Sequence, residues 1–245
     1  MMTQTISAFS IRPMLAFVVA QLTGQLRNWR TSATTLFAPL MLLFVFTVVG
    51  EDGEGAALVP FVVGFTVMFS GQTMAQILIT WRNNRIFTRL SATPTPTSHL
   101  IVGTVITQLL LFLVQALLVM LASLVLHDLS FDVLDLMAIM GVILVGTTPF
   151  LSYGALVAAF VNKTETAGIV YTFTLIPMVF LGGSLFTIPG LGEFGRYLPT
   201  NLLTDLIRPY FGFGEPDAIP FSVVLLLAYS VVITGLATIF FKTDR

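Results

Sequence analysis

The sequence predicts an all-α membrane protein with six transmembrane helices and both termini in the cytoplasm. It also predicts an interfacial helix before the first span and a short re-entrant helical segment before the last. Three observations carry this expectation. Of 245 residues, 56% are hydrophobic and 9% charged, and the mean hydropathy is +0.95, against about 25% charged residues in a soluble domain. Six apolar blocks, at 34–50, 56–80, 100–126, 134–161, 168–188 and 219–241, reach the length that crosses a bilayer. Charge, finally, is segregated between alternate gaps. Arg12, Arg27, Arg30, Arg82, Arg85, Arg89, Lys163, Lys242 and Arg245 fall on one side, and only Arg196 and Arg208 on the other. Basic loops stay cytoplasmic during insertion, which fixes the expected orientation. Ten of the twelve acidic residues sit at or beyond the opposite face.

Before the first span, Ile11, Leu15, Val18, Leu22, Leu26 and Trp29 recur every three or four residues and share one helical face, with Arg12, Gln21 and Gln25 off it. Segment 1–31 is therefore expected to lie in the cytoplasmic interface with Arg27, Trp29 and Arg30 at headgroup level; a plain lead-in to the first span is the competing expectation. The apolar run 14–20 is short and leads into Gln21 and Gln25, so no cleavable signal is expected and the first span serves as the uncleaved one. Strands of an outer-membrane barrel would alternate apolar and polar; the run 109–126 does not. With little sequence left over, residues 1–245 are read as a single membrane domain.

Between the second and third spans, 81–93 reads as a short helix stopped by Pro94 and Pro96. Arg82, Arg85 and Arg89 fall on one face of it at i, i+3 and i+7, while Phe87 and Leu90 can face membrane or a partner. Contact with anionic lipid and docking of a cytosolic protein both remain open from the spacing. Beyond the fifth span, segment 189–214 combines turn residues with a stripe of Phe194, Leu198, Leu202 and Leu206, punctuated by Pro189, Pro199 and Pro209. It predicts short amphipathic helices dipping into the outer leaflet as a cap, because irregular backbone at membrane depth persists only where protein or water satisfies it.

Chemistry is conspicuous by its residue types. The chain has no cysteine, and His99 and His127 fall on opposite sides, so no metal site is expected. No Walker A loop, H-E-x-x-H or G-x-S-x-G occurs, and no acidic pair lies inside a span. Catalytic residues and bound cofactors are therefore not expected, nor is a nucleic-acid partner. Charge-free span interiors argue against ion coupling, for which intramembrane ionisable residues are the usual mark. Gln72 and Gln76 are one turn apart on the second span, and Gln108 and Gln115 two turns apart on the third. Such residues serve either as interhelical hydrogen bonds or as a weakly polar path for an amphipathic solute. In the second reading Phe65, Met68, Phe69, Gln72, Gln76, Tyr171 and Phe180 are the candidate lining. Pro39, Pro149 and Pro177 are expected to kink their spans.

Taken in order, these features resemble the membrane subunit of an ATP-binding-cassette exporter of the ABC type 2 permease family. The resemblance rests on the leading interfacial helix, six spans with both ends inside, and a basic helix after the second span carrying Arg89-Leu90-Ser91-Ala92-Thr93-Pro94, similar to the family's R-L-x-A-T-P stretch. It rests further on the polar turn Asn162-Lys163-Thr164-Glu165-Thr166, the Gly-rich Phe180-Leu181-Gly182-Gly183, and the outer Ile188-Pro189 and Tyr197-Leu198-Pro199 running to Arg208. Where the family usually has an acidic residue and a glycine before R-L-x-A-T-P, this chain has Asn83 and Arg85.

The resemblance implies a permease in a bacterial or archaeal cytoplasmic membrane, paired with an identical or paralogous permease and with cytosolic ATPase subunits that hold ATP and magnesium. It assigns ATPase docking to Arg82, Arg85, Phe87, Arg89, Leu90, Asn162, Lys163, Thr164 and Glu165, and an outer cap to Pro189, Tyr197, Pro199 and Arg208. The implied cargo is a hydrophobic or amphipathic compound such as a drug, antibiotic, natural product or lipid. A polysaccharide or glycolipid exporter and a non-transporting scaffold are the alternatives; the former should show more path-lining Trp and Tyr than two and five.

Overall fold

The computed structural model describes residues 11–27, 29–49, 54–86, 97–127, 131–183, 192–214 and 219–241, and every regular element among them is helical. In chain order these are α1 (Ile11–Arg27), α2 (Trp29–Val49), α3 (Glu54–Ala57), α4 (Val59–Met68), α5 (Ser70–Asn83), α6 (Thr97–His127), α7 (Val133–Phe160), α8 (Thr164–Leu181), α9 (Gly192–Gly195), α10 (Pro199–Ile207), a 3₁₀ turn (Arg208–Phe211) and α11 (Ile219–Phe240). Five stretches are long and apolar enough to cross a membrane: Gly55–Asn83, Leu100–His127, Val133–Phe160, Thr164–Leu181 and Ile219–Phe240. The block expected as the first span lies in α2.

α7 is the axis of the bundle, with α11, α5, α6, α4, α10 and α8 packed around it. Its first turn is set by Asp132, whose carboxylate accepts from the Val133 N–H at 2.7 Å. Pro149 does not break it. Proline removes the N–H that would bond the carbonyl four residues back, and here the Thr148 hydroxyl donates to that carbonyl, Val145 O, at 2.7 Å. α2 and α8 likewise run through Pro39 and Pro177 as unbroken helices. The interruption falls instead at Phe69, between α4 and α5, where there is no proline. Helix ends leave carbonyls without an intrahelical donor, and the carbonyl of Met68 at this junction accepts from the hydroxyl of Tyr171 on α8.

Small residues bring helices together, as membrane packing requires. Gly71 of α5 and Gly154 of α7 meet backbone to backbone. Gly64 and Gly146 leave room for Thr204 and Leu203 of α10. α10 is consequently buried among α4, α7, α8 and α11, with Leu202, Leu203, Leu206 and Ile207 all at or below 1% exposure. The one-sided stripe expected for this segment is not what forms: Phe194 is exposed, and Thr200, Asn201 and Thr204 are buried with the leucines. Their polar atoms are bonded, Thr200 donating to Met178 O and Asn201 to the Asp205 carboxylate.

α1 packs along α6. Phe17 and Val18 close over Gly103, and Phe17 meets Trp81 edge to face at 5.7 Å. Leu15, expected on the apolar stripe, is exposed, whereas Gln21, expected off it, is half-buried. The side chains of Ile11, Arg12, Leu26, Trp29 and Arg30 lie outside the described residues.

Candidate functional site

Two segments far apart in sequence meet at one end of the bundle. α5 ends at Asn83, and α7 ends at Phe160 with Val161 extended at φ −110°, ψ 142°. Residues 161–163 then turn into α8, where Glu165 in the first turn suits the positive end of the helix dipole. Arg82 reaches from α5 across to this turn. Its guanidinium donates to Ala158 O at 2.9 Å, to Val161 O and to the Asn162 Oδ1 at 3.1 Å, and lies 5.9 Å from the ring centre of Phe241 beyond α11. Asn83 adds a bond from its amide nitrogen to Asn162 O at 3.1 Å. Ala158 O is among the orphan carbonyls at the α7 C-terminus, where a cation is favoured by the exposed dipoles.

Arg82 and Arg85 are placed differently. Arg82 is buried at 5% exposure and turned into the protein, so it cannot present itself to a partner. Arg85 follows the end of α5 and is exposed, as are Asn83, Asn84, Asn162, Lys163 and Glu165. Thr164 is half-buried and donates to the Glu165 carboxylate. Phe87, Arg89 and Leu90 lie outside the described residues.

Arg85 sits at φ 52°, a left-handed conformation that costs an L residue roughly 1–2 kcal/mol and glycine almost nothing. Arg85→Gly is expected to raise stability by about 1 kcal/mol, read as a small upward shift of the melting temperature in detergent; a fall would show that the arginine side chain makes a compensating contact.

The residues expected to line a path separate into three groups. Gln72 and Gln76 do line an opening, a cleft of about 400 Å³ between α5 and α8 shared with Glu165, Gly168, Ile169, Thr172 and Phe173. Phe65 and Phe69 stack instead in an aromatic row with Phe46 and Phe61, at centroid separations of 6.5, 5.6 and 4.8 Å along the row. Met68 and Tyr171 are wholly buried, and Phe180 is half exposed on α8.

A larger cavity, about 760 Å³, opens on the other side of α5, between α5, α6, α7 and α11. Its apolar wall includes Met74, Leu78, Val105 and Leu151. Along one side two hydroxyl pairs bridge α7 and α11, Thr148 with Ser230 and Ser152 with Thr234, each at 2.8 Å. The signal for this row was present in sequence: Ser230, Thr234 and Thr238 recur every four residues, matching Thr148 and Ser152. Gln108, by contrast, is wholly buried with neither amide atom bonded among the described residues.

At the opposite end, Asp205 pairs with Arg208 at 3.0 Å, and burial pushes its carboxyl up against the opposing pull of that guanidinium. Pro199 is buried at the start of α10, while Tyr197 is exposed, stacks on Phe221 and accepts from Tyr229 through its carbonyl. Pro189 lies outside the described residues. Among those residues no cluster of three or more His, Cys, Asp or Glu could hold a metal.

Compared with known proteins, the chain matches the ABC-2 type transporter family over residues 13–205. No curated protein matches it.

Proposed function

Since the chain belongs to the ABC-2 type transporter family, we propose that it is the permease subunit of an exporter for hydrophobic or amphipathic compounds, powered by a separate ATP-binding-cassette subunit. The observation that carries this reading is the meeting of α5's end with the 161–165 turn. Segments about 80 residues apart form one polar surface there, bearing Arg85, Lys163 and Glu165 at its exterior. In the proposed topology this end faces the cytoplasm, as its cations require, and α2 supplies a sixth crossing beside the other five. Two permeases pair, and the ATPases bind beneath the polar surface and beneath the basic segment 85–93.

In this mechanism ATP-driven closure of the ATPases displaces the ends of α5 and α8 together, changing the cleft at Gln72 and Gln76. A few neutral polar groups among apolar ones select by shape and amphipathicity more than by specific hydrogen bonds. Span interiors without charge are consistent with energy supplied from outside the membrane.

The test is co-reconstitution in liposomes with the ATPase subunit encoded beside this gene. ATP hydrolysis is expected to rise when the permease is present, with ATP-dependent movement of a fluorescent phospholipid or ethidium across the bilayer. Hydrolysis identical with and without the permease, and no movement of either probe, would favour a non-transporting scaffold.

A further inference from the structure

Among the described residues Arg82 is the only charged side chain that is buried. Taking a cation out of water is costly unless its donors are satisfied, so its placement calls for a physical account. A helix cap alone would need only one or two carbonyls at the end of α7, which a lysine could serve. Arg82 does more. Its planar fork bonds Ala158 O and Val161 O on the backbone and Asn162 Oδ1 in the turn, while its face lies against Phe241. Four parts of the chain, α5, the α7 end, the turn into α8 and the end of α11, thereby converge on one guanidinium. The fixed geometry of that group is what allows several acceptors to be held in set directions at once; an ammonium on a flexible stem does not reproduce it.

We propose that Arg82 is a positioning residue that locks the end of α5 to the 161–163 turn, so that the two segments move as one body when either is pushed. Its consequence for transport rests on the permease reading above, but the mechanical claim does not. A load applied at Lys163 or Glu165 passes through Asn162 and Arg82 into α5, and through Phe241 to α11. Asn83, bonded to Asn162 O, is a second and weaker tie between the same parts.

Because the chain has no cysteine, labels can be placed at will. Spin labels at Asn84→Cys and Lys163→Cys in liposomes are expected to give a single narrow distance peak, and Arg82→Lys and Arg82→Gln to lose it in favour of a broad distribution. A control pair at the other end of the bundle, Val125→Cys with Val133→Cys, both exposed, should keep its own distribution unchanged. A merely structural loss would broaden both pairs, and a retained narrow peak in Arg82→Lys would show that the fork is unnecessary; either result overturns the proposal.

Should the Arg82 variants fail to fold, Asn83→Ala with Asn162→Ala removes the two side-chain bonds to Asn162 and leaves Arg82 only its carbonyl acceptors, Ala158 O and Val161 O. A broader peak is expected there, and a width unchanged from the native chain would sink the idea. With the ATPase present, Arg82→Lys should raise ATP hydrolysed per molecule transported. Broadening at the labels without any permease-dependent hydrolysis in the native chain would contradict the exporter reading and leave the lock standing.

Discussion

Replacing Gly154 with alanine is expected to destroy the α5–α7 contact and with it most of the folded protein. A Cβ at this position would lie 1.9 Å from the carbonyl oxygen of Gly71 and 2.6 Å from its carbonyl carbon. Those are backbone atoms, so no side-chain rotation can relieve the overlap. The same seam rejects a Cβ at Gly71, which would lie 2.1 Å from Phe150 O and 2.5 Å from the Tyr171 hydroxyl. Overpacking a tight interior typically costs about 1–3 kcal/mol and occasionally more. Here the upper end applies, because lipid supplies no hydrophobic force to hold the helices together once they part.

Gly141 and Gly235 provide the internal controls, since a Cβ at either meets nothing within 4 Å. Alanine there should be neutral or stabilise the helix by up to about 1 kcal/mol. Size-exclusion profiles and melting in detergent check the contrast: Gly154→Ala should aggregate or melt far below the native chain, while Gly141→Ala and Gly235→Ala should not. Equal behaviour of all three would mean that the helices do not cross this closely.

Tyr171→Phe is the second large effect. The hydroxyl is fully buried and donates to Met68 O at the break between α4 and α5. Removing it leaves that carbonyl without its donor in an apolar interior, a loss of about 1–3 kcal/mol. That exceeds the roughly 0.6 kcal/mol of an average interhelical bond in a membrane, because the acceptor belongs to a helix end with no intrahelical donor. A lower melting temperature with an unchanged range of transported compounds is expected. A changed range with unchanged stability would return Tyr171 to the substrate path.

Much of the architecture was legible because hydropathy and length decide where helices lie in lipid. The expected blocks 100–126, 134–161 and 219–241 end within a few residues of Leu100–His127, Val133–Phe160 and Ile219–Phe240. What was not legible depends on partners remote in sequence. The break at Phe69 contains no proline, and the carbonyl freed at Met68 is met by Tyr171, over a hundred residues away. Pro149, a local signal for a kink, is answered by the neighbouring Thr148 hydroxyl.

For the same reason spacing put Arg82 on a solvent face, whereas acceptors released at the end of α7 draw it inward. The α10 stripe suggested one apolar face, yet pockets left by Gly64 and Gly146 bury nearly all of the helix. Of the residues that the resemblance named for docking, Arg82 and Asn162 meet in the structure. Gln72 and Gln76 border a cleft between α5 and α8.

The central claim is that these two segments form one surface touched by an ATPase. It is tested most directly by placing a photo-crosslinking amino acid, in separate variants, at Asn84, Lys163 and, at the far end, Val133, in complexes with the ATPase subunit encoded beside this gene. Adducts to the ATPase from both Asn84 and Lys163, with none from Val133, are the predicted result. Absence of adducts at both Asn84 and Lys163, or equal labelling from Val133, would contradict it.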